Sequence, residues 1–546
     1  MQREVFDVVI VGSGVAGGAA AQQFCDAGLR VLILEAGKAM KNRSADMGSI
    51  AGPSDQEVQA RCYAFAKNTR PYFVNDASEA YSTPSDKPFS WIRVRAVGGK
   101  SLLWAGHCYR MGDLDFKAAE ADGVGEAWPL TYEEIRPYYD KAECVLRVRS
   151  LHDGLSDAGE LNGTTTGRAP AVQARLAEAF AVQGCTLISA RVSHNGAEEV
   201  TGTPCLSCGQ LAAECLRPVS SVDSTLDRAM KTGRLTLWTE FSVQRITTDS
   251  SGKATGVVGV RHLTGEHLEV AGRLIFLCAS ALESTRILLN SASPAFPGGL
   301  ANSSGVLGHY LMDHVSGILL TAICDGDGAF RKENGRAEMF YLPRWQNLAD
   351  SCRKPFLRGF GFQGFIMRAD HELLPCGRTQ RALGANQPVA TDLNDAVLVR
   401  LAGFGEMLPH YDNYVEIDKT GKRDVYGIPV LRIHCQHREN EAAMACDMVA
   451  SGLELLKSAG ARIKDVQSVA SEPGLAIHEA GTCRMGDDPQ TSILNRFNQC
   501  HDIRNLFVTD ASCFPSIGTQ NPALTIMALT NRACEHAVAL LKQGHI

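Results

Sequence analysis

Residues 6–37 read FDVVIVGSGVAGGAAAQQFCDAGLRVLILEAG, and this stretch decides the fold. FDVVIVG is a continuous apolar run of strand length that stops at glycine, the pattern of a strand covered on both faces. GVAGGAAAQQFCDAG continues as an Ala-rich helical pattern, and LRVLILEAG is a second apolar strand. Together they form a βαβ unit. At its strand-to-helix turn Gly12, Gly14 and Gly17 spell G-x-G-x-x-G. The missing side chains permit a tight turn, close approach of a pyrophosphate, and close packing of helix on strand. The helix N-terminus then offers unpaired N–H groups to the phosphates. Glu35 ends the second strand where an acidic side chain accepts hydrogen bonds from a ribose diol, which selects an unphosphorylated 2′ position. The fingerprint alone fits NAD or FAD. Its place at residue 12 of a long chain, with a second nucleotide-like segment far downstream, suits FAD, whose size draws on several parts of a fold. That second segment is RLIFLCASALESTRILLNS at 273–291, a strand entering a helix through Cys278, Ala279 and Ser280.

Outward from this unit, the chain has 546 residues, enough for three or four domains of about 150 residues or fewer large ones. Hydrophobic residues at 45% and charged residues at 21% exclude disordered, collagenous and coiled-coil classes. The net charge of −6, from 54 basic and 60 acidic residues, comes without any long Lys/Arg run, so nucleic acid is not an expected partner. The best apolar run, SGILLTAIC at 316–324, is about half the roughly 18 residues of a membrane span. Only MQREV precedes the first strand, with no basic leader, twin arginine or cleavage site. The expected location is cytoplasmic, with export alongside a signal-bearing partner to the periplasm as the alternative.

Residues 151–199 include the polar SDAGELNGTTTG and read as a surface excursion. Residues 311–471 mix strands, short turns and one helical stretch without a nucleotide signature, and read as a second domain. Eighteen cysteines are too sparse for a disulfide framework, so the protein reads as reduced. Cys205, Cys208 and Cys215 form C-x2-C-x6-C, with Cys185 twenty residues earlier. Such thiolates hold zinc or cluster iron, yet both metals normally take four ligands. Buried thiols acting as small hydrophobes are therefore the preferred reading, with an iron–sulfur cluster as the alternative. Cys278, Cys483 and Cys513 read as core residues.

Four blocks resemble the glucose–methanol–choline (GMC) family of flavoprotein oxidoreductases: GSGVAGG with LEAG, AVGGKSLLWAGHCYR from Ala96, GLANSSGVLGHYLMDH from Gly299, and HEAGTCRMG with LFVTDASCFPSIGTQNPALTIMALTNRA near the C-terminus. GFGEMLPHYDNYVEIDK and DVYGIPVLRIHC are similar to segments of the bacterial sugar dehydrogenase and glycoside 3-oxidase branch, which is pyranose-oxidase-like. The resemblance implies an α/β fold. Its discontinuous Rossmann-like FAD-binding domain would comprise residues 1–150, 200–310 and 472–546, with a sheet-containing substrate domain at 311–471. By the same resemblance Gly98, Gly99, Ser101, Val243, Ala279, Asp510, Thr519 and Pro522 would join Gly12, Gly14, Gly17 and Glu35 in binding FAD.

The resemblance also implies a reaction, in which a sugar or glycoside secondary hydroxyl, with C3 as the expected position, becomes a ketone. Removing hydride from a carbinol carbon requires the hydroxyl proton to leave toward a base, and histidine is the natural base near neutral pH. His478 matches the family's catalytic histidine, and Asn521 matches the partner that hydrogen-bonds the same hydroxyl. Asn521 also reads as a helix N-cap before Pro522 at the first helical position. His107, His314 and His410 rank lower as bases; His314 is expected to orient a loop or to stand behind the residues that touch substrate. Glu406 and His410 read as solvated loop residues rather than pocket lining. Where pyranose oxidases carry a flavin-tethering histidine this chain has Leu103, so noncovalent FAD is expected. Some sugar dehydrogenases of the family carry a three-cysteine iron–sulfur cluster at a spacing unlike that of Cys205, Cys208 and Cys215. Electrons would pass to oxygen, a quinone or a redox partner subunit. The competing readings are oxidation of a non-sugar alcohol or polyol, a non-redox lyase that binds FAD, and an electron-transfer subunit.

Overall fold

A computed structural model describes residues 5–39, 56–66, 69–150, 171–194, 218–326, 338–348, 354–368 and 396–546. Cys205, Cys208 and Cys215 lie outside the described residues. Two large sheets organise the chain. In the seven-stranded sheet, the order is Leu235–Trp238, Val31–Leu34, Val5–Val11, His267–Leu277, Ala254–Arg261 and Phe241–Thr248, and Leu506–Val508 also pairs with His267–Leu277. The pairs that involve Val5–Val11, Leu235–Trp238 and Leu506–Val508 are parallel, and the other two are antiparallel.

Period-two alternation explains the near-continuous apolar sequence of the first strand. Val8 and Ile10 enter one core with Phe24, Phe276, Phe507 and Ala533, while Val9 and Val11 enter another with Tyr139, Phe241, Ile275 and Phe514. Helices Val15–Asp26 and Ala523–Lys542 pack together against the first of these cores. Cys278, Cys483 and Cys513 are buried in these cores, and all thirteen described cysteines are free thiols.

The six-stranded sheet is antiparallel throughout and runs Arg462–Gln467, Leu319–Asp325, Ala396–Gly405, Phe360–Arg368, Glu338–Leu342 and Ile188–Ser189. Phe360 and Phe362 turn toward helix Glu439–Ser458, in a core that also takes Val172, Leu176 and Phe180 from helix Ala171–Val182. Burying one such phenylalanine is worth about 1.5–3 kcal/mol. Gln363 and Phe365 point to the opposite face of the same strand and reach Asn521 and His107. Here the structure corrects the reading of 151–199 as an excursion: residues 171–189 supply a core helix and an edge strand to the second sheet. Val172, Leu176 and Phe180 recur every four residues, a helical stripe that the polar stretch before them obscured. No helix among the described residues is long and apolar enough to cross a membrane.

Candidate active site

The glycines of the first turn act through backbone contact. Gly12 has φ +96°, and a Cβ there would lie 2.4 Å from the carbonyl oxygen of Cys278. A Cβ on Gly17 would lie 1.9 Å from the Gly12 carbonyl oxygen, so helix and turn touch main chain to main chain. Gly14 differs, because nothing lies within 4 Å of where its Cβ would be. It precedes helix Val15–Asp26 without a side-chain cap, and the first turn of that helix carries no acid. Uncapped N–H groups beneath open space are what a pyrophosphate needs, so these residues fit FAD.

Glu35 is buried and accepts three hydrogen bonds, from Ser13 N at 3.0 Å, Ser13 Oγ at 2.6 Å and Gly37 N at 2.7 Å. These occupy most of the roughly four acceptor positions of a carboxylate. A ribose diol would therefore share Glu35 with the turn it braces. Burial raises its pKa, against the opposing effect of the Ser13 and Gly37 bonds. Ser13 Oγ accepts in turn from Gly98 N at 3.0 Å, Ser101 Oγ donates to Gly98 O at 2.6 Å, and Ser221 N donates to Ser101 Oγ at 3.0 Å. Gly98 and Gly99 have φ of +104° and +53°, and a Cβ on Gly99 would be 3.4 Å from Gly14 Cα. The fingerprint turn and the GGKS loop are thus one cradle.

Three further expected cofactor residues join this cradle's surroundings. Val243 is buried on strand Phe241–Thr248, whose first residue donates from N to Glu35 O at 3.0 Å. Ala279 N donates to Ser284 Oγ at 3.1 Å, and the Ser284 hydroxyl donates to the Asp510 carboxylate. Asp510 also accepts from Ser512 N at 3.1 Å and caps the short turn Ala511–Cys513. Leu103 is buried against Cys62, Tyr72 and Phe73.

His478 sits at the end of a tightly wound loop. Ile477 has φ +64°, an uncommon left-handed conformation for a β-branched residue. Asp313 holds the loop, accepting from Gly474 N at 2.7 Å, Ala476 N at 3.2 Å and His478 N at 3.0 Å. Burial, then the nearby Glu479, pushes the Asp313 carboxyl up to about 7, against those N–H donors. Lys100 of the GGKS loop pairs with Glu479 at 2.6 Å, which ties the cradle to the His478 loop. His314, the residue after Asp313, places Nδ1 2.9 Å from His478 Nδ1 and Nε2 3.0 Å from the Gly518 carbonyl oxygen.

Asn521 Nδ2 lies 3.4 Å from His478 Nε2, and Asn521 Oδ1 accepts from Gln363 Nε2 at 2.7 Å. Both His478 and Asn521 remain partly exposed, whereas His314 is buried. The helix that follows starts at Ala523 with Pro522 in the cap position and no side-chain cap. The N-cap reading of Asn521 is corrected accordingly: its amide is taken by Gln363 and His478. Burial, then His314, Lys100 and His107, holds His478 well below the usual histidine pKa.

An aromatic wall completes the surroundings. Tyr341 OH lies 3.2 Å from Thr519 Oγ1, Tyr109 stacks on Tyr341 at 3.9 Å, and His107 Nδ1 lies 3.2 Å from Tyr109 OH. Phe404 packs 6.0 Å from the His478 ring. Burial lowers the pKa of His107 to about 4. Sequence reasoning missed Gln363, Tyr341, Tyr109 and Phe404. His107 and Tyr109 stand two apart, the spacing of neighbours on one face of an extended segment, and that signal was available.

Glu406 departs from its reading as a solvated residue. It is fully buried and pairs with Arg358 at 2.7 Å, and Arg358 also holds Asp122. His410 is half-buried, 3.9 Å from Glu441. Among the described residues, no group of three or more His, Cys, Asp or Glu side chains is placed to hold a metal ion.

Residues 6–316 match a family model described as GMC oxidoreductase, and residues 409–530 match a second with the same description. The 2-methyl-1,2-propanediol dehydrogenase of Mycolicibacterium austroafricanum is 27% identical over 97% of this chain and 94% of its own length. The fructose dehydrogenase large subunit of Gluconobacter japonicus is 24% identical over 98% of both chains. A formate oxidase crystal structure superposes with a TM-score of 0.64 and 16% identity over 100% of both chains, a likeness of fold.

Proposed function

The chain belongs to the GMC oxidoreductase family, and from that premise we propose that it oxidises a secondary hydroxyl of a sugar or glycoside, at C3, to a ketone. The observation that carries this reading is the pairing of His478 Nε2 with Asn521 Nδ2, two side chains that both remain partly exposed. In this reading the substrate hydroxyl enters between them, donates its proton toward His478 Nε2 and accepts a hydrogen bond from Asn521 Nδ2. Gln363 fixes which end of the Asn521 amide faces the hydroxyl, since its own N–H claims Oδ1. FAD, when bound, supplies the hydride acceptor. Gly12, Gly14, Gly17, Glu35, Gly98, Gly99 and Ser101 would hold it noncovalently, with Val243, Ala279, Asp510, Thr519 and Pro522 around it. Leu103 has no ring nitrogen to form a tether, and acid precipitation should release all the flavin into the supernatant.

The polar Asn521 and Gln363 side chains near the stacked Tyr109 and Tyr341 rings suit a molecule with both hydroxyls and apolar C–H faces. The fructose dehydrogenase relative supports a sugar. The diol dehydrogenase relative supports a second reading, a small non-sugar diol or polyol handled by the same residues. Anaerobic bleaching of the flavin absorbance by methyl glycosides, free sugars and 2-methyl-1,2-propanediol separates the two. Faster bleaching by the glycosides, with a 3-keto product by NMR, is expected. Faster bleaching by the diol overturns the sugar reading, and no bleaching by any alcohol overturns oxidation itself. Reoxidation with oxygen, a quinone and ferricyanide in turn identifies the acceptor.

A further inference from the structure

Asp313 and His314 hold His478 from two sides: Asp313 by its backbone N–H, and His314 by its ring. The ring contact carries information about protons that the distances alone do not state. A carbonyl oxygen only accepts, so His314 Nε2, 3.0 Å from Gly518 O, bears the hydrogen. Burial keeps His314 neutral to well below pH 6.5, with a pKa lowered to about 4. A neutral imidazole with its hydrogen on Nε2 has a lone pair on Nδ1. The 2.9 Å contact between the two Nδ1 atoms is then a hydrogen bond only if His478 Nδ1 donates.

The orientation of the amides at the other end of the ring agrees with this. Gln363 Nε2 can only donate, so the oxygen of Asn521 faces Gln363 and its NH2 faces His478 Nε2. An NH2 group opposite Nε2 is compatible with a lone pair there and clashes with a hydrogen. From Gln363 through Asn521, His478 and His314 to Gly518, every donor points the same way.

We propose that His314 is a positioning residue that fixes the proton of His478 on Nδ1, and so keeps the Nε2 lone pair directed at the substrate hydroxyl. This rests on the reading of His478 as the base. Without the acceptor on His314, the neutral His478 ring could carry its hydrogen on Nε2, and it would then meet an alcohol as a donor. With it, the base is set before substrate arrives. The Gly518 carbonyl completes the device. Gly518 has φ +62°, and a Cβ there would lie 2.5 Å from Gln520 Oε1 and 2.9 Å from Asp115 Oδ1, so its peptide has little freedom to turn away.

Two substitutions separate the acceptor from the donor of His314. The oxygen of asparagine stands where imidazole Nδ1 stands, and the NH2 of glutamine reaches where Nε2 stands. His314→Asn should therefore keep the acceptor for His478, and His314→Gln should keep only the bond to Gly518. Nitrogen NMR of histidine-labelled holoenzyme reports tautomers directly, with the His478 signals assigned by their loss in His478→Asn. The wild type is expected to show Nδ1 protonated and Nε2 bare. His314→Asn should leave that pattern in place, and His314→Gln should lower the ratio of the two tautomers about tenfold, the scale set by one buried hydrogen bond. Flavin reduction should follow the same order, with His314→Asn faster than His314→Gln.

Nε2 protonated in the wild type overturns the proposal whether or not the variants fold. So does an unchanged tautomer in His314→Gln, or a slower reduction in His314→Asn than in His314→Gln, which would mean that the Gly518 tie alone matters. Failure of the underlying reading looks different: His478→Ala would then reduce its flavin at nearly the wild-type rate, whatever the tautomer.

Discussion

On the side of the seven-stranded sheet, the site is made largely of backbone: Gly12, Gly17 and Gly99 face main chain, and Gly14 faces open space. On the side of the six-stranded sheet it is made of side chains: Gln363, Phe365, Tyr341 and Phe404 stand on one face of a sheet whose other face is packed by helices. A backbone cradle suits a ligand of fixed shape, and at Gly12 and Gly17 it has no room for an added atom. A face of side chains can be changed one residue at a time without disturbing the core behind it. Under the proposed function, cofactor and substrate are then held by different parts of the molecule, and errors in each should have different signatures.

The largest effect should come from the cradle. Gly17→Val puts side-chain carbon where the Gly12 carbonyl oxygen already lies, and is expected to abolish flavin loading, read as the flavin-to-protein absorbance ratio. Full loading in that variant would break the contrast between the walls. His478→Ala should leave flavin content intact and slow anaerobic flavin reduction about 10²- to 10⁴-fold, the range for a general base. Gln363→Ala frees the Asn521 amide to turn, and about a tenfold loss in kcat/KM with normal flavin content is expected. Loss of flavin in Gln363→Ala would show that the two walls are not separable.

The smallest effect concerns pH. In the proposed function the neutral His478 ring is the active form, and burial lowers its pKa, so that form should persist as pH falls through the ordinary histidine value of 6.5. The rate of flavin reduction should stay flat from about pH 7.5 to 6.5. An acid limb centred at 6.5 or higher would show that burial does not hold this ring neutral.

The legibility of the sequence divides along the same line. Gly12, Gly14, Gly17 and Glu35 were readable because a tight turn over a phosphate demands particular residues at fixed spacing. His478 and Asn521 were found through resemblance; nothing in their own spacing, 43 positions apart, brings them together. Gln363 and Tyr341 could not be found, because strand residues that alternate between core and site look alike until the sheet is placed over the flavin cradle. Glu406 read as solvated because its partner Arg358 is 48 residues away and joins it only when two strand ends meet. The helix at 171–182 was overlooked because the polar stretch before it set the expectation for the whole segment.

Strand His267–Leu277 pairs along one part of its length with Val5–Val11 and at its end with Leu506–Val508, so the first and last strands of the sheet in chain order meet on one shared strand. During synthesis the first strand emerges long before its sheet can be finished. At about 5–20 residues per second, the wait between residues 11 and 508 is roughly 25–100 s. Throughout that interval the glycine turn exists but the segment bearing Asp510 and Asn521 does not. Val5–Val11 can pair with Val31–Leu34 and His267–Leu277 as they emerge, but the edge of His267–Leu277 that takes Leu506–Val508 stays open until the end of the chain arrives, so this nascent sheet carries an unpaired apolar edge nearly to the end of its synthesis.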